Sequence, residues 1–589
     1  MNNTENESRD LECLRHTLAH LLAAAVVKIF PDAKPTIGPA IENGFYYDFA
    51  FQKPISSDDL PTIEHEMRLL LSTWEHASCR ELSANEAKKI YSSNEFKQEL
   101  IDDIEARGEP VTLYTWGNFE DLCRGGHVKS AKKIDPQGFA LTHLAGAYWR
   151  GSEKNPMLTR IYGAAFETGK QLKEYIQRME EAKKYDHRRI GQEQSLFFID
   201  ETVGKGLVLW LPNGTVIRDE IERMAVKMET DRGYHRVVTP HLAKKELFET
   251  SGHLPYYQES MYPPMEMDDG TYYLKGMNCP HHHIIYRHQQ HSYRELPVRL
   301  AEYGTVYRNE LSGTLAGLLR VRSLAMNDAH IYCRKDQIKA EFKDVLNLIL
   351  EYFRIFGFHD YWFRLSRWSS KHTEKYINEP ENWKFSEEVI RDVLSELGVD
   401  YVERENEAAF YGPKVDIQFT SVIGREETMS TIQLDFAAKS RFGLTYRDHD
   451  GLQNNDVFVI HRAPLSTHER FIAFLIEHYA GKWPLWLSPI QAILLPVGES
   501  HLSPSISLAR TLRSRGIRAH TDESNETVGK KIRKAESQKI PYMLVIGDRE
   551  ADLTYLSVRK RGSRETSSSS IEDFIAMVND KIMMRSADL

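Results

Sequence analysis

After a polar start, the chain opens on an apolar run at helical spacing. In LECLRHTLAHLLAAAVVKIF (11–30), leucines and alanines recur every three to four residues, which predicts a helix. A Pro/Gly-rich turn, KPTIGPAIENG (34–44), leads into the strand-like FYYDFAF (45–51). Farther on, QLKEYIQRMEEAKKYDHRRIG (171–191) carries opposite charges at i,i+4, as suits an exposed linking helix. The middle of the chain mixes strands such as YHRVVTP and TIQLDF with long helical patterns. From about residue 489 the pattern changes. QAILLPV, IRAHTD and YMLVIGD alternate with the helical stretches SPSISLARTLRSRG and TVGKKIRKAESQ and with a final helix. That alternation predicts a small parallel or mixed α/β sheet. RGSRETSSSS (561–570) reads as a surface loop.

These patterns divide the chain into a first domain over 1–150, a linking region over 151–190, a large domain over 191–488 and a last domain over 489–589. Composition agrees with several cores: 589 residues, 41% hydrophobic and 27% charged. No apolar run approaches the ~18 residues of a membrane span. The start, MNNTENESRD, lacks the basic and apolar regions of a signal peptide, so a cytoplasmic protein with no membrane partner is expected. Five scattered cysteines without a CxxC argue against a disulfide framework and leave isolated thiolate ligands or nucleophiles open. A net charge of −9 excludes a protein coated in positive charge, but not RNA binding through local patches.

Several stretches carry chemistry. MNCPHHH (277–283) sets a cysteine beside three histidines. In VYRNELSGTLAGLLRVR (306–322), Arg308 and Glu310 share a strand face; a glycine-containing loop then leads to a returning strand with Arg320 and Arg322. Such a hairpin can grip a polyphosphate. In HRAPLSTHERFIAFLIE (461–477), Arg470 enters an apolar helix, placed to lie over a ring or bind phosphate. In the first domain, His16 and His20 stand i,i+4 on one helix face, and DLCRGGH (121–127) sets Cys123 and His127 four apart. By spacing, this pairing resembles a metal site.

GYHRVVTPHL, VYRNELSGTLAGLLRVR and HRAPLSTHERFIAFLIE, in this order, resemble the three signature motifs of class II aminoacyl-tRNA synthetases. With MNCP, DAHIYC, AFYGPK and QLDF, nearly the whole chain is similar to the bacterial threonyl-tRNA synthetase family, without its usual N-terminal ubiquitin-like domain. The resemblance implies an α+β multidomain fold: a class II antiparallel-sheet catalytic core, an N-terminal editing domain and a C-terminal α/β anticodon-binding domain. It implies a homodimeric threonine–tRNA ligase, which activates L-threonine with ATP and Mg²⁺, charges tRNA(Thr) and hydrolyses mischarged seryl-tRNA(Thr). Arg308 would bind the α-phosphate and the amino-acid carboxylate, Glu310 would face the adenine amino group, Arg320 would hold the terminal phosphate, and Arg470 would stack on adenine. One Zn²⁺ per subunit would sit on Cys279, His330 and His461, leaving a tetrahedral position open. Asp328 would take the threonine hydroxyl proton. Tyr411, Lys414 and Gln433 match pocket positions, and His253 matches a histidine implicated in transfer. In the editing domain, His16, His20, Tyr47, Lys97, Asp121, Cys123 and His127 would hold the tRNA end and a hydrolytic water without obligatory zinc. Arg533 and Glu550 are candidates for contacting the anticodon loop, by position only.

Zinc suits threonine because both its amino and hydroxyl groups can reach one metal, and a site built around the hydroxyl rejects valine by ~10⁴ or more. Serine lacks only a methyl, worth about 1–3 kcal/mol, so a second, hydrolytic site is expected. Leu324, Met326, Thr428, Ser430 and Ser466 depart from the family around the nucleotide. A weakened paralogue acting in RNA binding or inhibitor resistance is therefore the alternative, and a synthetase for serine or proline a further one.

Overall fold

The computed structural model describes residues 2–152, 154–372, 375–420 and 426–589. The chain forms two compact units, 1–181 and 182–589. In the first, the helix Asn2–Ile29 carries the predicted apolar run, and Leu18, Leu21, Leu22 and Ala25 are fully buried on it. It packs on a sheet ordered Lys34–Pro35, Gly44–Ala50, Met157–Ala165, Phe139–Tyr148. The FYYDFAF stretch supplies Phe45, Tyr47 and Phe49 to that core. A second antiparallel sheet joins Ser78–Leu82, Val111–Trp116 and Phe119–Leu122. The helix Glu95–Ala106 starts where the Asn94 side chain accepts from the Lys97 amide. The predicted linking helix is two helices, Gly169–Tyr185 and His187–Glu193, because Asp186 leaves helical geometry to cap the second.

The second unit is built on an eight-stranded sheet. Its order is His235–Arg236, Val298–Tyr307, Ser323–Cys333, Phe458–Ala463, Glu426–Asp435, Lys414–Thr420, Tyr361–Arg367, Tyr401–Glu405. The pairs are antiparallel except at the two edges, where His235–Arg236 and Tyr401–Glu405 run parallel to their neighbours. The helices Ile338–Phe356 and His468–Tyr479 bury Phe342, Leu346, Ile349, Phe471, Ile472 and Leu475 in this unit's main core. A smaller sheet, ordered Ala519–Thr521, Ala492–Pro496, Tyr542–Ile546, Leu556–Lys560, Thr566–Ser569, is parallel across its first three strands and antiparallel beyond.

Three further expectations are corrected. Only His235–Arg236 of YHRVVTP is strand, because the Thr239 amide turns away to Glu302 Oε1 (2.9 Å) and Pro240 has no N–H to give. Arg308, Glu310, Arg320 and Arg322 lie in the loop between strands ending at Tyr307 and starting at Ser323. The Arg308 amide still bonds Arg322 O (2.9 Å), but beyond it side chains replace the ladder: Arg320 Nε donates to Glu310 Oε2 (2.8 Å) and Arg322 Nε to Glu310 O (2.9 Å). Finally, Thr566–Ser569, read as loop, is a short polar edge strand.

A buried ion pair ties the sheet to the helix Pro212–Thr230. Glu229 Oε1 accepts from Arg462 Nη1 (2.8 Å) and from Asn327 Nδ2 (2.9 Å). Between Ala463 and the helix capped by Thr467, Ser466 takes φ +50°, a left-handed conformation that a side chain resists. Arg462→Met, which leaves the Glu229 carboxylate without its cation, is expected to cost about 3–5 kcal/mol in urea unfolding. Ser466→Gly should raise the unfolding free energy in the same measurement by about 1 kcal/mol.

Candidate functional site

His330 and His461 are direct cross-strand partners, and His461 is in turn opposite Gln433, which is opposite Lys414. Residues directly opposite share a face, so one line across the sheet carries four of the predicted residues. Asp328, two before His330, faces the same way, and Glu302 lies opposite it. Cys279 comes from elsewhere, the first turn of the helix Cys279–His288. Even so, the ligand atoms of Cys279, His330 and His461 all lie within 4.8 Å of one another.

The chemistry of this trio fits a metal ion. His330 Nε2 is buried without a hydrogen-bond partner among the described residues. Burial pushes the His330 imidazole well below its ordinary range, with His461 and His282 adding to the effect, which leaves it neutral and able to donate a lone pair. Burial also pushes the Cys279 thiol well up, and Asp328 and Asp435 push the same way. A cation at this point reverses that and favours the thiolate. His461 Nε2 donates to Asp435 Oδ2 (3.1 Å), while Asp435 Oδ1 accepts from the amides of Ala437 (2.6 Å) and Ala438 (3.0 Å). This carboxylate orients the His461 ring and, with the hydrogen on Nε2, leaves a lone pair on Nδ1.

A cavity of about 390 Å³ opens beside the trio. Cys279, His461, Asp328, Tyr411, Lys414 and Gln433 line it. Arg308, Glu310, Arg320 and Arg470 line it as well. His330 lies behind the wall, fully buried. Asn278 Nδ2 donates to Asp328 Oδ2 (3.1 Å), Tyr411 OH to Gln433 Oε1, and Lys414 pairs with Asp416 (2.8 Å). His253 lines an adjoining recess that shares Cys279, Tyr411 and His461. Burial, with Arg441, His461 and Arg308 close by, lowers it to about 4, and Ser251 Oγ bonds its Nδ1 (2.7 Å). Leu324, Met326, Thr428, Ser430 and Ser466 all line the main cavity. The Ser430 hydroxyl is turned onto Pro464 O. Glu550, in the last domain, is engaged internally by the Gly547 amide (3.0 Å) and Ser557 Oγ (2.6 Å).

In the first unit, His16, His20, Tyr47, Lys97, Asp121 and Cys123 line a cavity of about 400 Å³. Its floor is a buried triad. Tyr47 OH donates to Asp121 Oδ2 (2.5 Å), and Lys97 Nζ lies 2.6 Å from Asp121 Oδ1 and 3.1 Å from Tyr47 OH. His16, His20, Cys123 and His127 bring their ligand atoms within 4.8 Å of one another, a donor set able to hold a metal ion. Cys123 Sγ is 3.2 Å from His127 Nε2 and 3.6 Å from His16 Nε2. Burial, reinforced by His20 and His16, drives His127 down to about 2, and burial lifts Cys123 to about 11. The pair is therefore a neutral imidazole and a thiol. Gly125 and Gly126, both at positive φ, turn the chain so that Cys123 and His127 meet.

Asn278 and Asp435, which hold Asp328 and His461, escaped sequence reasoning as individual residues. Both lie inside the short motifs MNCP and QLDF, and an acceptor or amide within a ligand-bearing motif is the signal that points to them. Thr17, directly after His16 and one turn before His20, is the equivalent in the first unit: its hydroxyl bonds His127 Nδ1 (3.2 Å).

Comparison with known proteins agrees with this geometry. The tRNA synthetase class II core domain (G, H, P, S and T) model matches residues 262–479. The anticodon binding domain model matches 491–581, and the threonyl and alanyl tRNA synthetase second additional domain matches 111–162. A threonine–tRNA ligase of Geobacillus kaustophilus is 48% identical over 582 residues, 98% of this chain and 89% of the relative. Threonine–tRNA ligase 1 of Bacillus subtilis is 48% identical over 575 residues, 97% and 89% of the two chains. Among solved structures, the RNA binding domain of a threonyl-tRNA synthetase from Cryptosporidium parvum aligns with TM-score 0.64 and 35% identity, over 67% of this chain and 98% of that one. A prolyl-tRNA synthetase from the same organism shares the fold alone, at TM-score 0.52 and 14% identity over 68% and 75% of the two chains. At this identity and coverage, with all three domain models in order, the chain belongs to the threonine–tRNA ligase family.

Proposed function

We infer that this chain activates L-threonine with ATP, transfers it to tRNA(Thr), and hydrolyses seryl-tRNA(Thr) in its first unit. The observation that carries the synthetic reading is the convergence of Cys279, His330 and His461 beside a cavity that Arg308, Arg320 and Arg470 also line. The cavity brings together the two kinds of group that such a reaction needs. Three arginines suit the phosphates and the adenine of ATP with its Mg²⁺. The trio would hold Zn²⁺, which when bound supplies a Lewis acid for the amino and hydroxyl groups of threonine. Asp328, steadied by Asn278, is the acceptor for the hydroxyl, and a substrate without that hydroxyl leaves it unpaired. Arg308, within electrostatic reach of both Arg470 and Cys279, is placed where a carboxylate would meet an α-phosphate. His253, neutral in the recess beside the cysteine, is placed to accept a proton from the acceptor ribose. The last domain serves tRNA recognition. The catalytic unit is proposed to work as a homodimer.

In the first unit, His16 is neutral and lines the cavity, so it is the candidate base for a hydrolytic water. The Lys97 ammonium, held by Asp121, orients the tRNA end. That assignment uses the four-ligand cluster as a polar cradle, with metal optional.

Threonine-dependent ATP–pyrophosphate exchange tests the synthetic reading. The chain is expected to exchange with threonine and to discriminate against valine by ~10⁴. Cys279→Ser and His330→Ala should lose bound zinc, and on the order of 10²-fold of the exchange rate. Exchange with serine or proline alone would indicate another specificity, and no exchange a paralogue that only binds RNA. For the hydrolytic reading, His16→Ala and Lys97→Ala should slow deacylation of seryl-tRNA(Thr) by about 10²-fold while threonine exchange persists. Unchanged deacylation would remove these residues from the reaction.

A further inference from the structure

His282 and His283 stand next to the ligand Cys279 on the same helix, and both are buried. They do different things. His283 Nδ1 bonds the Tyr332 hydroxyl (3.0 Å). His282 has no exposure at all, and both of its ring nitrogens are engaged. Nδ1 lies 2.8 Å from Nδ1 of His330, and Nε2 lies 3.1 Å from Glu302 Oε2.

The proton positions along this chain follow from its far end. Glu302 accepts from the Thr239 amide (2.9 Å) and the Thr239 hydroxyl (2.9 Å), and Lys275 Nζ stands 3.6 Å away. Surrounded by donors, it is a carboxylate and only accepts. The hydrogen between it and His282 therefore sits on His282 Nε2. A neutral His282 then has a lone pair on Nδ1, so the hydrogen in the next bond sits on His330 Nδ1. That leaves His330 Nε2 as a bare lone pair, and this is the buried nitrogen that has no hydrogen-bond partner among the described residues. Reversing any one bond would put two hydrogens, or none, between two nitrogens.

We propose that His282, backed by Glu302, is the positioning residue for the metal site: it fixes the tautomer and ring orientation of His330 so that Nε2 is presented to the ion. The inference rests on the reading of Cys279, His330 and His461 as metal ligands. It accounts for a feature that packing leaves unexplained, namely two histidines and a glutamate spent in a buried line leading away from the cavity. It also completes a symmetry. His461 takes its orientation from a carboxylate directly, through Asp435, whereas His330 takes it from a carboxylate one imidazole removed.

Zinc retention by the full chain, followed by chelator competition, tests this, together with the visible d–d spectrum of the Co²⁺-substituted protein. Cys279→Ser is the control for the ligand reading: if it holds zinc as well as the unaltered chain does, the trio is not the metal site and the inference falls with it. With that control behaving as a ligand, His282→Leu is expected to weaken zinc binding by about 10–100-fold and to change the Co²⁺ spectrum. His282→Gln should recover much of the loss, because its carboxamide can accept from His330 and donate to Glu302. Glu302→Gln keeps the shape of the site and is expected to weaken zinc in the same direction, which carries the test should His282→Leu fail to fold. Zinc affinity and spectrum unchanged in both His282→Leu and Glu302→Gln would overturn the proposal.

Discussion

The whole catalytic arrangement depends on the register of two strands. Ser323–Cys333 and Phe458–Ala463 pair so that His330 meets His461. A slip of one residue would send one imidazole to the opposite face of the sheet and carry Asp328 with it. The same register, passed on to the next strands, sets Gln433 and Lys414 beside them. Among these residues only Cys279 reaches the site from a helix. The candidate metal trio is thus a property of sheet pairing, with one thiol added.

That dependence explains why so many buried polar groups surround the strands. Glu229 with Arg462 and Asn327, Asp435 with two amides, and Glu302 with Thr239 are all acceptors surrounded by donors. Buried charges add little stability in themselves, yet a partner in the wrong register leaves each of them uncompensated. They penalise misalignment where the apolar core, rich in interchangeable aliphatic and aromatic side chains, would tolerate it.

Local patterns predicted local structure well. The apolar run at 11–30 is a helix, FYYDFAF is a strand, and the alternation after residue 489 is the small mixed sheet. Reading failed where side chains replace the backbone as the pairing element. Arg308 to Arg322 looks like a hairpin, but Glu310 takes up two arginines and the ladder stops. YHRVVTP looks like a strand, but Glu302 captures the Thr239 amide. Both failures are long-range polar contacts, which hydrophobic periodicity does not register. The trio is the extreme case. Cys279, His330 and His461 are separated by 51 and 131 positions, so only the resemblance to a family joined them, whereas the eye-catching His281–His283 cluster contributes no member of that trio. What the sequence could not convey at all was which histidine faces which, because that depends on a helix and two strands meeting.

The pairing of Arg320 with Glu310 also bears on how the cavity chooses its anions. Arg320 is half-exposed, yet its guanidinium is already occupied by a carboxylate at 2.8 Å. An incoming phosphate competes with that carboxylate, so the affinity it gains is a difference between two ion pairs. A lone phosphate or sulfate gains little from the exchange. In the roles proposed above, a nucleotide that also satisfies the released Glu310 through its base, and Arg308 and Arg470 elsewhere, would gain on every contact at once. The internal ion pair would thereby set a threshold that only a multiply attached ligand passes, a form of selectivity that does not require a tight fit around any single group.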